Sequence, residues 1–489
     1  MNLAHTLTPT YIFETASKAA ESLGLRAFVI GGFVRDQLLG RPSKDVDIVV
    51  EGDGIAVAEA FAALLPFPAE VITFRNFGTA MVRCPQLEVE FVGARKESYR
   101  GESRKPDVQS GTLAEDLARR DFTINTFSIS LQKADFGTLL DSFDGQADLE
   151  AKMLRTPLEP NITFSDDPLR IMRGLRFAAQ LGFDIEGETY AAMREQAPRL
   201  SIVSAERITD ELNKLLMSPQ PAYGLKLAFF CGVLDVIFHE LVALRGVENV
   251  DGKAHKDNFF HTLEVLENVV AAGGNLWLRW AALLHDIAKP ATKRFDKKAG
   301  WTFHGHEDKG ARWVPGIFRR FRLPAGPEMR HVQNLVRLHL RPISLVNEHV
   351  TDSAVRRLMA DAGLILADLM LLVRADVTTK NPRKAVKYLA GFDAVEGKFA
   401  AVAEADELRN FQPILTGQDI MEAYGLEPSV LVGQIKTQLR EDLLDGVYEN
   451  NYLACWGAMQ AIATALGLSL QSDAPLQRQI AYKEGQQAV

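Results

Sequence analysis

The sequence predicts an α+β head followed by a long all-α body. Three observations carry this: β-type and helical runs alternate only up to about residue 148, helical periodicity then continues to about residue 470, and 489 residues exceed what one hydrophobic core organises. In the head, Arg26–Ile30, Val46–Val50, Thr79–Arg83 and Leu87–Val92 are β-branched or alternating, with glycine or proline between them, as strands require. After Leu149 the strands are expected to vanish. The resulting divisions are a head (1–148), a helical neck (149–225), a histidine-bearing helical body (226–400) and a helical tail (401–489). The polar stretch from Gln477 onward reads as a frayed end, and no internal repeat is visible.

The composition, 47% hydrophobic and 24% charged, is that of an ordinary globular protein. No apolar run approaches the roughly 20 residues that span a bilayer, and the N-terminus lacks a secretory pattern. A cytoplasmic protein with no membrane partner is expected. Cys84, Cys231 and Cys455 are too far apart in sequence to suggest a disulfide framework or a structural zinc site. A net charge of −8 argues against a protein that coats nucleic acid indiscriminately and leaves room for local basic surfaces.

Phe28-Val-Ile-Gly31-Gly32-Phe-Val-Arg35-Asp36 reads as a strand entering a glycine turn and then a helix. Such a turn lets backbone approach a ligand closely, and the helix start offers N–H groups to an anion; a tight structural turn is the plainer alternative. Asp45-Val46-Asp47 adds chemistry. Residues two apart on a strand share a face, so the two carboxylates converge while Val46 points into the core. Convergent carboxylates repel unless a cation stands between them, and Mg²⁺ takes one or two carboxylates together with substrate phosphates. Glu90, on the alternating strand Leu87–Val92, is a candidate third carboxylate.

The run from Gly31 through Asp45-Val46-Asp47-Ile-Val-Val resembles the signature of class II tRNA nucleotidyltransferases and bacterial poly(A) polymerases, of the DNA polymerase beta-like superfamily. Three further stretches match in order: Arg119-Arg120-Asp121-Phe122-Thr123-Ile124-Asn125, Asp166-Asp167-Pro168-Leu169-Arg170 and Ser204-Ala205-Glu206-Arg207-Ile208. The resemblance covers roughly residues 20 to 220. It implies that Asp45 and Asp47 are the catalytic, Mg²⁺-binding carboxylates, and that Gly31, Gly32, Arg35, Arg120, Asp121 and Asn125 surround the triphosphate and sugar. Asp167, Arg170 and Arg173 complete the nucleotide-binding set. The chain departs from the family pattern at Thr126, usually Ala, and at Asp166, usually Glu; neither change removes a needed group.

The resemblance makes tRNA, CTP and ATP the expected partners. Asp167 and Arg170 lie three apart at a helix start, where an ordinary ion pair is the plain reading. A carboxylate only accepts hydrogen bonds and a guanidinium only donates them. Cytosine and adenine each present an amino donor beside a ring-nitrogen acceptor, whereas uracil and guanine present the reverse, so the pair admits C and A together. Ser98 to Thr112, with Arg100, Arg104, Lys105 and Pro106, reads as a polar loop. In the resembling family a flexible loop here is needed to switch from C to A addition, which favours full C-C-A synthesis. The basic, aromatic stretch usual in poly(A) polymerases is not matched by Phe74-Arg75-Asn76-Phe77-Gly78-Thr79.

Further along, His261, His285-Asp286, His306, His339 and Asp376 occur in order. The apolar run Trp280-Ala-Ala-Leu-Leu places the His-Asp doublet at the end of a buried helix, where unpaired polar groups are costly and a divalent metal resolves the cost. The order resembles the HD superfamily of metal-dependent phosphohydrolases over about residues 255 to 380. That implies His261, His285, Asp286 and Asp376 as ligands of a divalent metal of unspecified identity, His306 and His339 as additional ligands or phosphate contacts, and Lys289 as a phosphate contact. Basic residues cluster at Arg312, Arg319, Arg320, Arg322, Arg330, Arg337 and Arg341, and at Lys380, Arg383, Lys384 and Lys387, where RNA phosphates are expected. The competing functions are a poly(A) polymerase, a nucleotide phosphohydrolase whose head only binds nucleotide, and a non-catalytic RNA-binding protein.

Overall fold

The computed structural model describes the backbone of residues 1–75, 78–100, 103–254, 256–346, 351–379, 381–410, 412–445 and 447–487. The head opens with α1 (Thr10–Ser22), β1 (Ala27–Ile30), α2 (Gly32–Leu38), β2 (Asp45–Val50) and α3 (Gly54–Leu64). Strands β3 (Val71–Phe74), β4 (Thr79–Arg83) and β5 (Glu88–Gly93) follow, then β6 (Arg95–Arg100), β7 (Ser103–Ser110), α4 (Leu113–Ala118), β8 (Ser128–Ser130) and β9 (Leu139–Leu140). Seven of these strands form one sheet in the order β3-β4-β5-β2-β1-β8-β9, with only β2 and β5 parallel. All four residues of β1 are buried, so it reads as a continuous apolar run. In β2, Asp45 is exposed, Val46 buried and Asp47 half-buried before the strand sinks at Ile48. Helix α3 covers this sheet through Val57, Ala58 and Phe61; the Phe61 ring lies 5.1 Å from that of Phe91, and burying it contributes about 2–3 kcal/mol.

Two expectations are corrected. Ser98 to Thr112 is not a loop: β6 and β7 pair antiparallel as a separate two-stranded ribbon, with a register shift between Ser98 and Arg100. Ladder hydrogen bonds satisfy the backbone whatever the side chains are, so a polar sequence without alternation can still pair. The side chains of 97–108, including Arg100, Arg104, Lys105 and Pro106, lie outside the described residues, as do Asn76, Phe77 and Lys380. Nor do strands end with the head: Met153–Leu154 pairs with Asp184–Ile185, Asn249–Val250 with Lys253–Ala254, and Arg294–Asp296 with Gly300–Thr302, all too short to show a period.

Beyond the sheet run α5 (Gly145–Glu150), α6 (Pro160–Asp166), α7 (Leu169–Leu181), α8 (Gly187–Gln196), α9 (Ala205–Leu216) and α10 (Pro221–Phe230). Helix α7 ends where Gly182 takes φ +68°, the left-handed C-cap that glycine favours. Next come α11 (Val233–Ile237), α12 (His239–Val242), α13 (Asn258–Ala271), α14 (Leu276–Leu284) and α15 (Lys289–Thr292). Then follow α16 (His306–Arg320), α17 (Pro327–Leu338), α18 (Arg341–Val346), α19 (Asp352–Ala362), α20 (Leu366–Ala375) and α21 (Pro382–Asn410). Helix α14 starts at the Asn275 side-chain cap, is buried at every residue from Leu278 to Leu284, and packs against α9, α13, α17 and α20. An all-round apolar helix has to be enclosed.

The chain divides into two compact units, residues 1–344 with 362–389, and residues 345–361 with 390–489. The second unit has its own core, including Ile435, Leu439, Cys455, Trp456 and Met459. It contains α22 (Gly417–Tyr424), α23 (Val430–Leu444), α24 (Tyr452–Ala465) and α25 (Ala474–Gln487). Where fraying is expected from Gln477, the described residues are helical: α25 runs to Gln487, with the Arg478 guanidinium fork on both Glu422 oxygens at 2.7 and 2.6 Å. Among the described residues no helix is long and apolar enough to cross a membrane.

Candidate functional site

The parallel register of β2 and β5 sets Asp45 beside Glu88 and Asp47 beside Glu90. Glu88 turns to Arg83 at 3.4 Å, which leaves Asp45, Asp47 and Glu90 as the acidic group. Burial pushes the Asp47 carboxyl up; Arg120 and Arg173 oppose this and the Asp45 charge adds to it. Glu90 is raised by burial and then by Asp47. Carboxylates held above their ordinary range by burial and mutual repulsion fit a divalent cation, whose charge relieves both.

Opposite them, the Arg120 guanidinium lies over Gly31. That residue takes φ +72°, a backbone conformation that strains any residue but glycine, and a Cβ there would displace the tip of the Arg120 side chain, whose Nη1 would lie 2.8 Å away. Gly32 opens α2, one turn of which carries the buried Arg35. Arg35 Nη1 donates to Asn125 Oδ1 at 2.7 Å, Asn125 Nδ2 donates to Asp121 Oδ1 at 2.9 Å, and Arg173 Nε donates to Asp121 Oδ2 at 2.7 Å. Burial would raise the Asp121 carboxyl, but Arg173, the Asn125 hydrogen bond and Arg170 hold it well below the carboxylate range. Arg35, Arg173 and Arg176 surround the Phe177 ring at 5.1, 5.5 and 4.0 Å. Asp167 Oδ1 accepts from Leu169 N at 3.2 Å, and Arg170, 9% exposed, donates from Nη1 to Thr163 O at 3.1 Å.

In the helical body the enclosed α14 delivers His285 and Asp286 to the interior, 0% and 1% exposed. Three imidazoles are oriented alike: Nδ1 of His285, His306 and His339 donates to Ala282 O, Phe303 O and Val336 O at 2.8, 2.7 and 2.7 Å. His261 Nδ1 meets Thr378 Oγ1 at 2.9 Å. All four Nε2 atoms turn toward Asp286. His261 Nε2 also lies 3.0 Å from Asp376 Oδ1, and Lys289 Nζ stands on Asp286 Oδ2 at 2.5 Å. His285 Nε2 is buried with no hydrogen-bond partner, an orphan aimed where the other ligand atoms converge. Fixed Nδ1 atoms and inward Nε2 atoms fit a divalent metal. Burial lowers the His261 ring, but Asp286 and Asp376 outweigh it and raise it to about 9. Burial lowers His339 to about 4, with the charge of His285 adding to the effect. A cavity of about 290 Å³ opens beside this cluster, lined by His339 and Asp376 and by Lys256, Thr378, Lys384 and Tyr388.

Comparison with known proteins follows the same layout. Residues 27–155 match the poly A polymerase head domain, 182–244 the probable RNA and SrmB-binding site of polymerase A, and 258–379 the HD domain. The chain is 32% identical over 428 residues to an A-adding tRNA nucleotidyltransferase of Deinococcus radiodurans, covering 85% of this chain and 91% of that one. The chain belongs to the tRNA nucleotidyltransferase and poly(A) polymerase family with an HD domain. A multifunctional CCA protein of Pseudomonas paraeruginosa is 37% identical over 332 residues, 64% of this chain and 73% of the relative. The Thermotoga maritima CCA-adding enzyme, solved in complex with tRNA, shares the fold with a TM-score of 0.58 at 20% identity, covering 95% of this chain and 99% of that one.

For this nucleotidyltransferase family member, the structure brings together every sequence-selected residue of the HD cluster and links Arg35, Asn125, Asp121 and Arg173 into one chain. In the basic cluster, Arg320 is held bidentately by Glu240, both contacts 2.6 Å, and the exposed Arg322 stands 3.5 Å from the exposed Glu206. Sequence reasoning missed Asp116, 1% exposed, which holds Arg119 at 2.6 Å and Arg120 at 3.3 Å; the i,i+3 and i,i+4 spacing was the available signal. It also missed Glu211, which binds Arg176 at 2.5 Å, and Thr378, two residues beyond Asp376.

Proposed function

We propose that the chain builds C-C-A at the 3′ end of tRNA from CTP and ATP by two-metal nucleotidyl transfer, and that its HD cluster is a metal-dependent phosphohydrolase. The observation that carries the first reading is the Asp45, Asp47 and Glu90 group facing Arg120 across the glycine turn. Asp45 and Asp47 hold Mg²⁺, which when bound lowers the barrier for the attacking hydroxyl and steadies pyrophosphate. Gly31, Gly32, Arg35, Arg120, Asp121, Asn125 and Arg173 form the triphosphate and sugar surroundings, with Arg120 neutralising charge. Asp167 and Arg170 select C and A by acceptor and donor edges. Residues 1–148 act as catalytic head, 149–225 as RNA- and nucleotide-binding neck, 226–400 as HD domain and 401–489 as tail.

A second reading, addition of A alone, is favoured by the A-adding relative, which spans 85% of this chain where the multifunctional CCA relative spans 64%. The test is purified protein with Mg²⁺ and tRNA ending before C-C-A, or after C-C, given CTP, ATP or both. Two C additions followed by one A support the proposal. Extension of only the C-C end indicates the A-adding reading, and long A tails a poly(A) polymerase.

For the HD cluster, His261, His285, Asp286 and Asp376 hold the metal, which supplies Lewis-acid activation of a phosphoester. Lys289 neutralises the phosphate. The adjoining cavity suits one nucleotide unit, with Lys384 and Tyr388 on its wall. The substrates that fit are small 2′,3′-cyclic nucleotides and RNA ends.

A further inference from the structure

One aromatic ring of α7 gathers three guanidinium groups. Phe177, 4% exposed, has the Cζ atoms of Arg176, Arg35 and Arg173 at 4.0, 5.1 and 5.5 Å from its ring centre, all within the roughly 6 Å at which a ring attracts a cation. Arg173 and Arg176 belong to α7 itself, whereas Arg35 comes from α2. The Phe122 ring stands at 87° to that of Phe177, 6.1 Å away. Each cation also has a carboxylate at its edge: Arg35 Nη2 to Asp36 Oδ1 is 2.9 Å, Arg173 Nε to Asp121 Oδ2 2.7 Å and Arg176 Nε to Glu211 Oε2 2.5 Å. A guanidinium bonds carboxylates through N–H groups in its plane and still offers its charge to a ring, so the two kinds of contact do not compete. Three like charges around one side chain repel. The carboxylates offset that repulsion, and the negative faces of the ring add an attraction that an aliphatic side chain lacks.

Arg35 donates to Asn125 and Asn125 to Asp121, which accepts from Arg173. Both ends of that hydrogen-bonded chain therefore lie against the same ring. Of the three arginines, Arg173 has the most exposed side chain, 38% against 6% for Arg35 and 11% for Arg176. Its charge acts on carboxylates from three separate places in the sequence: Asp47 on β2, Asp121, and Asp167 between α6 and α7. We propose that Phe177 is a positioning residue for nucleotidyl transfer: its ring is a cation platform that holds both ends of the Arg35–Asn125–Asp121–Arg173 chain and thereby fixes Arg173 for the incoming nucleoside triphosphate. The buried ring acts through Arg173 rather than on the nucleotide, so it serves CTP and ATP alike.

This inference rests on reading the head as a nucleotide site, and its test reads binding rather than addition. Full-length protein is made with phenylalanine or its mono-, di- or trifluorinated analogues at position 177. Fluorine leaves the ring nearly the same shape and withdraws negative charge from its faces. Kd for CTP and for ATP is measured with Mg²⁺ and without RNA. Both should rise stepwise with fluorine number, to about tenfold for the trifluorinated ring, while their ratio and the melting temperature stay level. Phe177→Leu, which fills the space without ring charge, should weaken both by at least as much. Affinities that stay level across the fluorinated series, or that change only in step with the melting temperature, would overturn the platform and leave Phe177 as packing. Fluorine-sensitive binding in a protein that never adds C-C-A would keep the platform and sink the proposed function; C-C-A addition with level affinities would do the reverse.

Discussion

Gly31 and the HD histidines show how single positions limit what the chain can become. A methyl group on Gly31 would enter the space of Arg120 Nη1, and φ +72° adds strain of about 1 kcal/mol or more for any other residue. Gly31→Ala is therefore expected to raise the KM for CTP and ATP together by tenfold or more, with a small loss of melting temperature. Unchanged nucleotide KM values would show that Arg120 does not need that space. The histidines give a pH signature. His261, raised to about 9 from 6.5, contributes stability that is full below pH 6.5 and lost as pH rises toward 9. His339, depressed to about 4, contributes stability that is full above pH 6.5 and lost as pH falls toward 4. The chelator-stripped protein should melt highest near pH 6.5, with lower values on both sides, and His261→Gln should flatten the alkaline limb. Metal loading should displace the His261 proton, so calorimetry at pH 7.5 in buffers of different ionisation enthalpy should report release of about one proton. A heat independent of buffer would contradict this.

At the scale of elements, α14 couples the neck to the HD cluster. Arg279, on its first turn and 7% exposed, donates to Gly274 O at 2.8 Å, Leu216 O at 2.6 Å and Ser218 O at 3.1 Å, while Trp280 Nε1 donates to Asn213 Oδ1 at 2.9 Å. Arg279→Met would orphan carbonyls at the end of α9 and should destabilise the protein by about 2–4 kcal/mol, and it should weaken metal binding because α14 ends at His285. A melting curve unchanged from wild type would refute the clamp. The β6–β7 ribbon is the other separable element. Removing its tip between Ser98 and Asp107 is expected to leave C addition and stop A addition, read on a sequencing gel; loss of both would make the ribbon a general support. Legibility differed sharply between such elements. The strands of β1, β2, β4 and β5 were readable because each has a buried face, and His285-Asp286 because the run Trp280–Leu284 before it is wholly apolar. The ribbon was not, since its polar sequence shows no alternation and its pairing rests on backbone ladder bonds. The Arg35–Asn125 and Asp121–Arg173 bonds join residues 90 and 52 apart, and no local spacing encodes such partners.

At the scale of the molecule, the two proposed chemistries raise the question of what one chain would gain by carrying both. Nucleotidyl transfer needs a free 3′ hydroxyl as attacking group, and an RNA end blocked by a 2′,3′-cyclic or terminal phosphate has none. The proposed phosphohydrolase on the same chain would act at raised effective concentration on the end that the head is proposed to extend. Its acidic and imidazole ligands come from α13, α14, α16, α17 and α20 or their ends, whereas the head's carboxylates lie on β2 and β5, so each set can be removed without touching the other. Replacing both His285 and Asp286 with Ala should abolish hydrolysis and leave extension of hydroxyl-ended tRNA largely intact, and Asp45→Ala should do the opposite. The decisive substrate is tRNA truncated before C-C-A and closed as a 2′,3′-cyclic phosphate. Wild-type protein loaded with Mn²⁺ or Ni²⁺ should open and then extend it, the His285 and Asp286 double variant should not, and a mixture of that variant with Asp45→Ala should recover extension more slowly than wild type at equal concentration. Equal rates for the mixture and the wild type would remove the advantage of tethering. Extension of the blocked end by the double variant would show that the HD cluster has no part in preparing it.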